Sequence, residues 1–427
     1  MQCIHLLGQL IQYEYLNTSK KIGMLILDVK GNFYNQVKKY AQKYSRIDDL
    51  IIIKPNGKFK YNPLNKPNLK PQVLANRLKT ILLLFSPNNT ESYWLDKVEQ
   101  LFTECIKLCR IYNDGYVTFE EIHNLINSQN YYLEKIEILR KLFLDQKLNT
   151  EEIYNLLSAL NFFEKEFLEL DSRTQSILRS EATRITNYFL SDYNIYKTFN
   201  PSKEEENFYG FKDLIKTGKI VVLNMNISEY KNISKIIAAY LKLDFQTEVL
   251  ARLSYQEELR TVAFISDEYH EYVTKNDADF FAQCREAKCI NILATQSYSS
   301  LLNTLKDETN LKVLLQNLVN KLWFRTDDIY TIEQVQKQLG KEEKKKTSTT
   351  ITEGSKETYY NFLSNSLSSP NSNISESINT YSQTDFIYDT NYFNQKLETF
   401  TCLSFLSNGD QILPPQRIQL IPYFNNN

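Results

Sequence analysis

The chain has 427 residues, with 50 basic against 51 acidic side chains and a formal net charge of −1. That length exceeds what one ordinary core needs, so two or three domains are expected. The charge balance excludes a globally basic protein that coats nucleic acid, while leaving room for a local basic channel.

The six cysteines, Cys3, Cys105, Cys109, Cys284, Cys289 and Cys402, form no C-x-x-C pair, and the three histidines His5, His123 and His270 stand apart from them. Reduced thiols in a cytoplasmic setting are expected, and a zinc site is not. Residues 1–16 (MQCIHLLGQLIQYEYL) read as an amphipathic helix, too short and polar to span a bilayer and without the basic start or cleavage site of a signal peptide. No other stretch approaches about 20 uninterrupted apolar residues, so the chain is expected to be soluble.

Residues 22–28 (IGMLILD) form an apolar run ending in Asp, followed by Lys30-Gly31, which predicts a buried parallel strand and a turn. A helix is expected over 32–45 and a second strand over 50–54 (LIIIK). The Pro-, Asn- and Gly-rich stretch 55–71 reads as loop. From residue 72 to about 200 helical spacing dominates, with no convincing strand. Strands return at 219–224 (KIVVLN), 261–267 (TVAFISD), 289–295 (CINILAT) and 320–325 (NKLWFR), separated by helical segments. That alternation predicts a parallel sheet covered on both faces. Residues 341–385, a KEEKKK run and then Ser, Thr and Asn without periodicity, are expected to be a linker or mobile loop. The last segment, 386–427, holds two strand-like runs, TCLSFLS and RIQLIPYF.

Asp267-Glu268 follows the apolar strand VAFIS. A strand that delivers Asp-Glu at its carboxyl end is the Walker B arrangement, in which the Asp holds Mg2+ through water and the Glu polarises the attacking water. Taken alone, an ordinary acidic loop after a strand explains the dipeptide equally well. A second apolar strand, INILAT, ends in Gln296. In RecA-like motors the strand beside Walker B ends in a polar sensor of the γ-phosphate, and Gln can orient a water or bond a phosphate oxygen. Arg285, before that strand, is a candidate arginine finger for a neighbouring subunit, and Arg325 is a second. For both, a surface charge is the plainer reading.

The order LILDVKGNFY, SYWLDKVEQLF, FISDEYHEY, FFAQCREAKCINILATQSYSSL and NKLWFRTDD resembles the conjugative coupling proteins of the TraD/TraG/TrwB kind, within the wider HerA/FtsK group of hexameric DNA-pumping ATPases. The terminal GDQILPPQRIQLIPYF resembles the end of their motor domain. The resemblance implies an α/β fold, a RecA-like P-loop NTPase parallel sheet with an inserted all-α domain. It divides the chain into a first part of the motor core (1–71), an all-helical domain (72–200), motor core with Walker B and sensor (201–340), a linker (341–385) and the end of the core (386–427). It implies Asp267 as the metal-associated acid, Glu268 as the catalytic Glu and Gln296 as the sensor. Asp28, Lys30 and Gly31 match the D-x-K-G turn assigned here to cofactor binding, and Arg285 matches an Arg ahead of the sensor strand. The implied cofactors are ATP and Mg2+. The implied partners are single- or double-stranded DNA, relaxase and relaxosome proteins, secretion-channel proteins and a homo-hexamer on the cytoplasmic face of the bacterial inner membrane.

One departure stands out. The family's G-x-x-x-x-G-K-[ST] loop is not found, because Gly57-Lys58, Gly218-Lys219 and Gly340-Lys341 lack the earlier Gly and the following Ser or Thr. The loop belongs just ahead of the helix at 1–16, so the chain is expected to begin inside that helix and to be inactive in ATP turnover by itself. The rival expectation is a non-catalytic remnant that keeps the helical domain for protein docking, or another secretion ATPase of the same group.

Asn113–Glu121 resembles part of a calcium loop, but Arg110 and Tyr112 would then fall where carboxylates are required. A helix connection is expected there. Cys105 and Cys109, four apart on an apolar helix face, are expected in the core. For His270 a surface or supporting role is expected.

Overall fold

The computed structural model describes residues 2–28, 30–31, 33–84, 92–254, 259–354, 359–361, 366–368 and 373–421. Residues 422–424, which end the run RIQLIPYF, and the side chains of Cys3 and His5 lie outside what is described. The chain divides into two compact units, Met1–Val319 with Pro422–Asn427, and Asn320–Ile421.

The first unit is built on five strands: β1 (Gly23–Asp28), β2 (Leu50–Ile53), β3 (Ile220–Asn224), β4 (Val262–Ser266) and β5 (Cys289–Leu293). They lie in the order β2-β3-β1-β4-β5 with every pairing parallel. The inner strands β3, β1 and β4 are apolar through their interiors because both of their faces are covered, whereas the edge strand β5 carries Asn291 and exposes Ile290. On one face Met24, Ile26, Ile220, Val222, Ala263 and Ile265 pack with Leu7 and Ile11 of α1 (Gln2–Gln12) and Val37 of α2 (Phe33–Lys43).

Between β2 and β3 runs a helical insertion of α3 (Pro71–Leu84), α4 (Ser92–Tyr112), α5 (Phe119–Asn127), α6 (Gln129–Leu144), α7 (Thr150–Asn161), α8 (Ser172–Leu190) and α9 (Tyr193–Phe199). Its starts are set by side-chain caps: Thr118, Asn149, Asp171 and Asp192 each accept a first-turn N–H, and Asn149 forms a capping box with Glu152. In the loop that resembles a calcium site, the Glu121 carboxylate accepts the hydroxyls of Tyr112 (2.5 Å) and Tyr131 (2.6 Å), and Asp114 pairs with Lys203. Cys105 and Cys109 are buried in α4.

After α10 (Lys212–Thr217) and β3 comes α11 (Ile227–Ala251), on the other face of the sheet. There Phe245 lies 6.2 Å from Phe264 of β4, ring centroid to centroid, and 5.5 Å from Phe211. This helix also carries Asp244, fully buried, which faces Lys66 Nζ at 2.9 Å, Arg77 Nη1 at 3.0 Å and the Tyr61 hydroxyl at 2.7 Å. Lys66 and Tyr61 come from the loop after β2 and Arg77 from α3, so one carboxylate ties the helical insertion to the sheet. The remaining helices of this unit are α12 (Asp277–Gln283), α13 (Tyr298–Leu305) and α14 (Glu308–Asn317).

The second unit corrects two expectations. Strand β6 (Lys321–Phe324) does not join the parallel sheet. The unit continues through α15 (Ile329–Leu339), β7 (Lys341–Gly354), β8 (Tyr359–Asn361), β9 (Ser366–Ser368), β10 (Asn373–Phe386), β11 (Thr401–Phe405) and β12 (Gln416–Gln419). β6 pairs antiparallel with β11 in a three-stranded sheet of order β12-β11-β6. An apolar run of four to six residues carries no mark of its partner's direction, which is why the sequence pattern misplaced it. The stretch 341–385 is not a loop either: β7 and β10 form an antiparallel ribbon in register from Lys341↔Phe386 to Gly354↔Asn373. Its described side chains are largely exposed, so no apolar alternation announces it. Residues 386–421 therefore belong with β6 and the ribbon, around Trp323, Ile332, Val335, Phe393, Leu397 and Leu403. Among the described residues, no helix is long and apolar enough to cross a membrane.

Candidate functional site

The ends of three adjacent strands meet at the carboxyl edge of the parallel sheet. β1 ends in Asp28, β4 runs into Asp267-Glu268, and β5 runs into Thr295-Gln296. The chain leaves β1 towards β2 on one side and leaves β4 towards β5 on the other. A reversal of this kind opens the crevice where open parallel sheets bind ligands.

Asp28 organises the first strand end. Its buried carboxylate accepts the backbone N–H groups of Lys30 (3.0 Å), Gly31 (3.1 Å), Phe33 (2.5 Å) and Tyr34 (3.2 Å). Burial pushes its carboxyl above the ordinary Asp value, and the four N–H groups pull the other way. Both oxygens are engaged by the turn, and Asp28 thereby positions Lys30 and the start of α2. Gly31 completes the turn at φ +72°, and a Cβ there would lie 3.1 Å from Asn226 Cβ. Gly31→Ala is expected to destabilise the protein by about 1 kcal/mol or more, since both the backbone and the neighbour resist it. Thermal unfolding of the full chain reads this, and an unchanged midpoint would contradict it.

The second strand end holds the acid pair. Glu268 is buried and sits in the left-handed region at φ 50°, ψ 47°. A bulky residue there costs on the order of 1–2 kcal/mol and persists only where its surroundings enforce it. They do so here. The Asp267 N–H donates to Leu27 O (3.3 Å), the Tyr269 N–H donates to Ala294 O (2.7 Å), and the buried Tyr272 hydroxyl accepts from Ser266 Oγ (2.9 Å) and donates to Asp267 O (2.7 Å). Behind them Tyr269 donates its hydroxyl to Asp277, the first residue of α12. Asp277 also accepts Lys242 Nζ (2.5 Å), Gln246 Nε2 (3.0 Å) and the Thr274 N–H (2.9 Å). Lys242 and Asp277 are both fully buried. Burial pushes the Lys242 ammonium down, and Asp277 offsets part of that.

Three side chains surround the Glu268 carboxylate. The Lys30 ammonium ion-pairs with Oε1, His270 Nδ1 lies 3.7 Å from Oε2, and the exposed Gln296 side chain is near enough to favour the ionised carboxylate. Burial works to raise the Glu268 carboxyl, but Lys30, Gln296 and His270 together hold it below the usual Glu value. The bond to Glu268 raises the Lys30 ammonium against a partial burial, and Asp267 and Asp28 add to the rise. His270 also shares a hydrogen bond with Thr295 Oγ1 at 3.3 Å, which links the two strand ends.

Asp267 is half-buried, and its carboxylate accepts no hydrogen bond from the described residues. A hard oxygen donor left open beside a second carboxylate fits Mg2+, which takes one or two carboxylates and completes its shell with water and phosphate oxygens. No group of three or more His, Cys, Asp or Glu suited to an all-protein metal cage occurs among the described residues.

Asp28, Lys30, Gly31, Asp267, Glu268 and Gln296, all singled out from sequence, thus come together. Arg285 does not join them. It is exposed on a turn after α12, ahead of β5, at the amino end of the strands. A five-residue strand puts that edge roughly 15 Å from the carboxyl edge. Arg325 is exposed just after β6 in the second unit. Sequence reasoning overlooked Tyr269, Tyr272, Lys242 and Asp277. A lysine inside the apolar helical run IIAAYLKLDF was the signal available for Lys242.

Residues 261–385 match the family model described as the TraM recognition site of TraD and TraG. That span holds β4, the acid pair, Gln296 and nearly all of the ribbon. No curated protein sequence matches the chain. The fold is similar to the bacterial conjugative coupling protein TrwBdeltaN70 in an unbound form, with a TM-score of 0.58 at 10% identity over 98% of this chain and 91% of that one. It is similar also to the plasmid coupling protein TrwB in complex with the ATP analogue ADPNP, at a TM-score of 0.57 and 12% identity over 93% and 84%. For TrwB with ADP and Mg2+ the values are 0.56 and 10% over 93% and 84%. The fold is a RecA-like α/β NTPase fold with an inserted helical region.

Proposed function

We propose, for this relative of the TraD/TraG/TrwB family of conjugative coupling proteins, a motor that uses nucleoside triphosphate to move DNA and its attached relaxase towards a type IV secretion channel. The observation that carries this reading is the cluster of Asp267, Glu268, Lys30 and Gln296 on three adjacent strand ends. TrwB itself has been seen with ADPNP and with ADP and Mg2+, so ATP and Mg2+ are the ligands we assign to this crevice. Mg2+ bound there would neutralise charge on the phosphate oxygens.

The chain's own residues then divide the work. Asp267 offers its open carboxylate to the metal's water shell. Glu268 accepts a hydrogen bond from the attacking water, and its fixed left-handed backbone sets the direction. Gln296, on the neighbouring strand end, favours the ionised Glu268 carboxylate and would reach a phosphate oxygen, so that phosphate loss alters the surroundings of Glu268. The distance of Arg285 from this cluster fits a finger that acts on a neighbouring copy in a hexameric ring, and Arg325 remains the second candidate. We assign the stretch 261–385 to docking of a TraM-like relaxosome protein, at the cytoplasmic face of the inner membrane.

The test joins the chain to a segment that carries G-x-x-x-x-G-K-[ST] ahead of Met1. Mg2+-dependent ATP hydrolysis that rises on addition of single-stranded DNA is the expected result. Hydrolysis indifferent to DNA would refute the DNA-motor reading, and none at all would refute the ATPase.

A further inference from the structure

The two ends of the Lys30–Glu268 pair differ in freedom. The Glu268 side chain is 12% exposed and its backbone is clamped, whereas the Lys30 side chain is 56% exposed on a flexible stem. The Lys30 backbone is itself fixed, because its N–H donates to Asp28. The pair can therefore open by rotation of one side chain, with no movement of the fold. The ammonium also lies within electrostatic range of Asp267, whose carboxylate has no other partner among the described residues.

We propose that Lys30 is a tethered counter-ion that occupies the charge position beside Glu268 and competes with a divalent cation for the Asp267–Glu268 pair. This rests on the reading of Asp267 as the acid that holds the metal's water shell, with Glu268 as the carboxylate beside it. A positive charge at hydrogen-bond distance from one carboxylate weakens the pull of both on a second cation. Lys30 is largely exposed and its pair correspondingly weak, so a divalent ion can displace it reversibly. Lys30 is in this sense a positioning residue: it holds Glu268 in place until a metal takes over the charge.

The test is Mn2+ binding to the full chain followed by electron paramagnetic resonance, in wild type, Lys30→Met, Lys30→Arg, Glu268→Gln and the Lys30→Met/Glu268→Gln double variant. Lys30→Met is expected to tighten binding about threefold to fivefold, the equivalent of a weak exposed ion pair. Lys30→Arg should stay near wild type because it keeps the charge. The gain should shrink in the Glu268→Gln background, where the ion pair that holds the ammonium in place no longer exists and only its field on Asp267 remains. Unchanged or weaker binding by Lys30→Met would overturn the proposal, as would a gain of equal size in the Glu268→Gln background. Absence of Mn2+ binding in every variant would instead remove the metal site itself, and the proposal with it.

Discussion

In the version joined to a G-x-x-x-x-G-K-[ST] segment, Glu268→Gln is expected to lower ATP turnover by about 10²- to 10⁴-fold, the usual contribution of a general base, and to spare nucleotide binding. The amide matches the carboxylate in shape, so the left-handed turn and its anchors at Leu27 and Ala294 remain. What disappears is a negative acceptor that the crevice holds ionised: Lys30, Gln296 and His270 keep the Glu268 carboxyl below its usual range. Initial rates and the affinity for a fluorescent ATP analogue, measured on the same preparation, separate the two effects. Turnover equal to that of the parent would take Glu268 out of the chemistry.

Lys242→Met should be costly to the fold, by about 3–5 kcal/mol, the range found when one member of a buried ion pair is removed. Lys242 and Asp277 are both fully buried, so the substitution strands a carboxylate in a dry interior. Asp277 would keep the Tyr269 hydroxyl, Gln246 and the Thr274 N–H, which soften the loss without replacing a charge. Removing the charge from both sides, with Lys242→Met and Asp277→Asn together, is expected to recover a good part of the stability, because an uncharged pair has little desolvation to offset. Denaturant titration of the full chain reads both variants. A single substitution that costs under about 1 kcal/mol, in the range of surface pairs, would show that water reaches this cluster.

Much of the site was legible because its residues sit at the ends of short apolar runs. The runs around Leu25, Val222, Phe264 and Ile292 had to be strands buried between helices, and each leads into a polar residue at the edge where ligands bind. Asp267, Glu268 and Gln296 follow from that geometry. The clamp beneath them does not. Tyr269, Tyr272, Lys242 and Asp277 lie on different elements, and a buried polar network forms through contacts distant in sequence that no local period records. Direction was hidden for the same reason: Trp323 in β6 and Ile265 in β4 both sit in short runs with apolar centres, and only the partner strand decides parallel from antiparallel. The β7–β10 ribbon escaped because its residues gain a hydrogen-bond ladder without burying a face, so its strands carry no alternation to read.

Helix α11 holds two fully buried charges two residues apart, Lys242 turned to Asp277 and Asp244 turned to Arg77 and Lys66. On a helix of 3.6 residues per turn these point about 200° apart. α11 is therefore gripped from opposite sides, once by the segment behind the acid pair and once by the helical insertion. A turn of α11 about its own axis would shear both grips at once, so it acts as an axle keyed at two points. The backbone breaks from the helical region at Lys231 (φ 46°, ψ −126°), and it is the stretch beyond that break which the two grips hold against rolling.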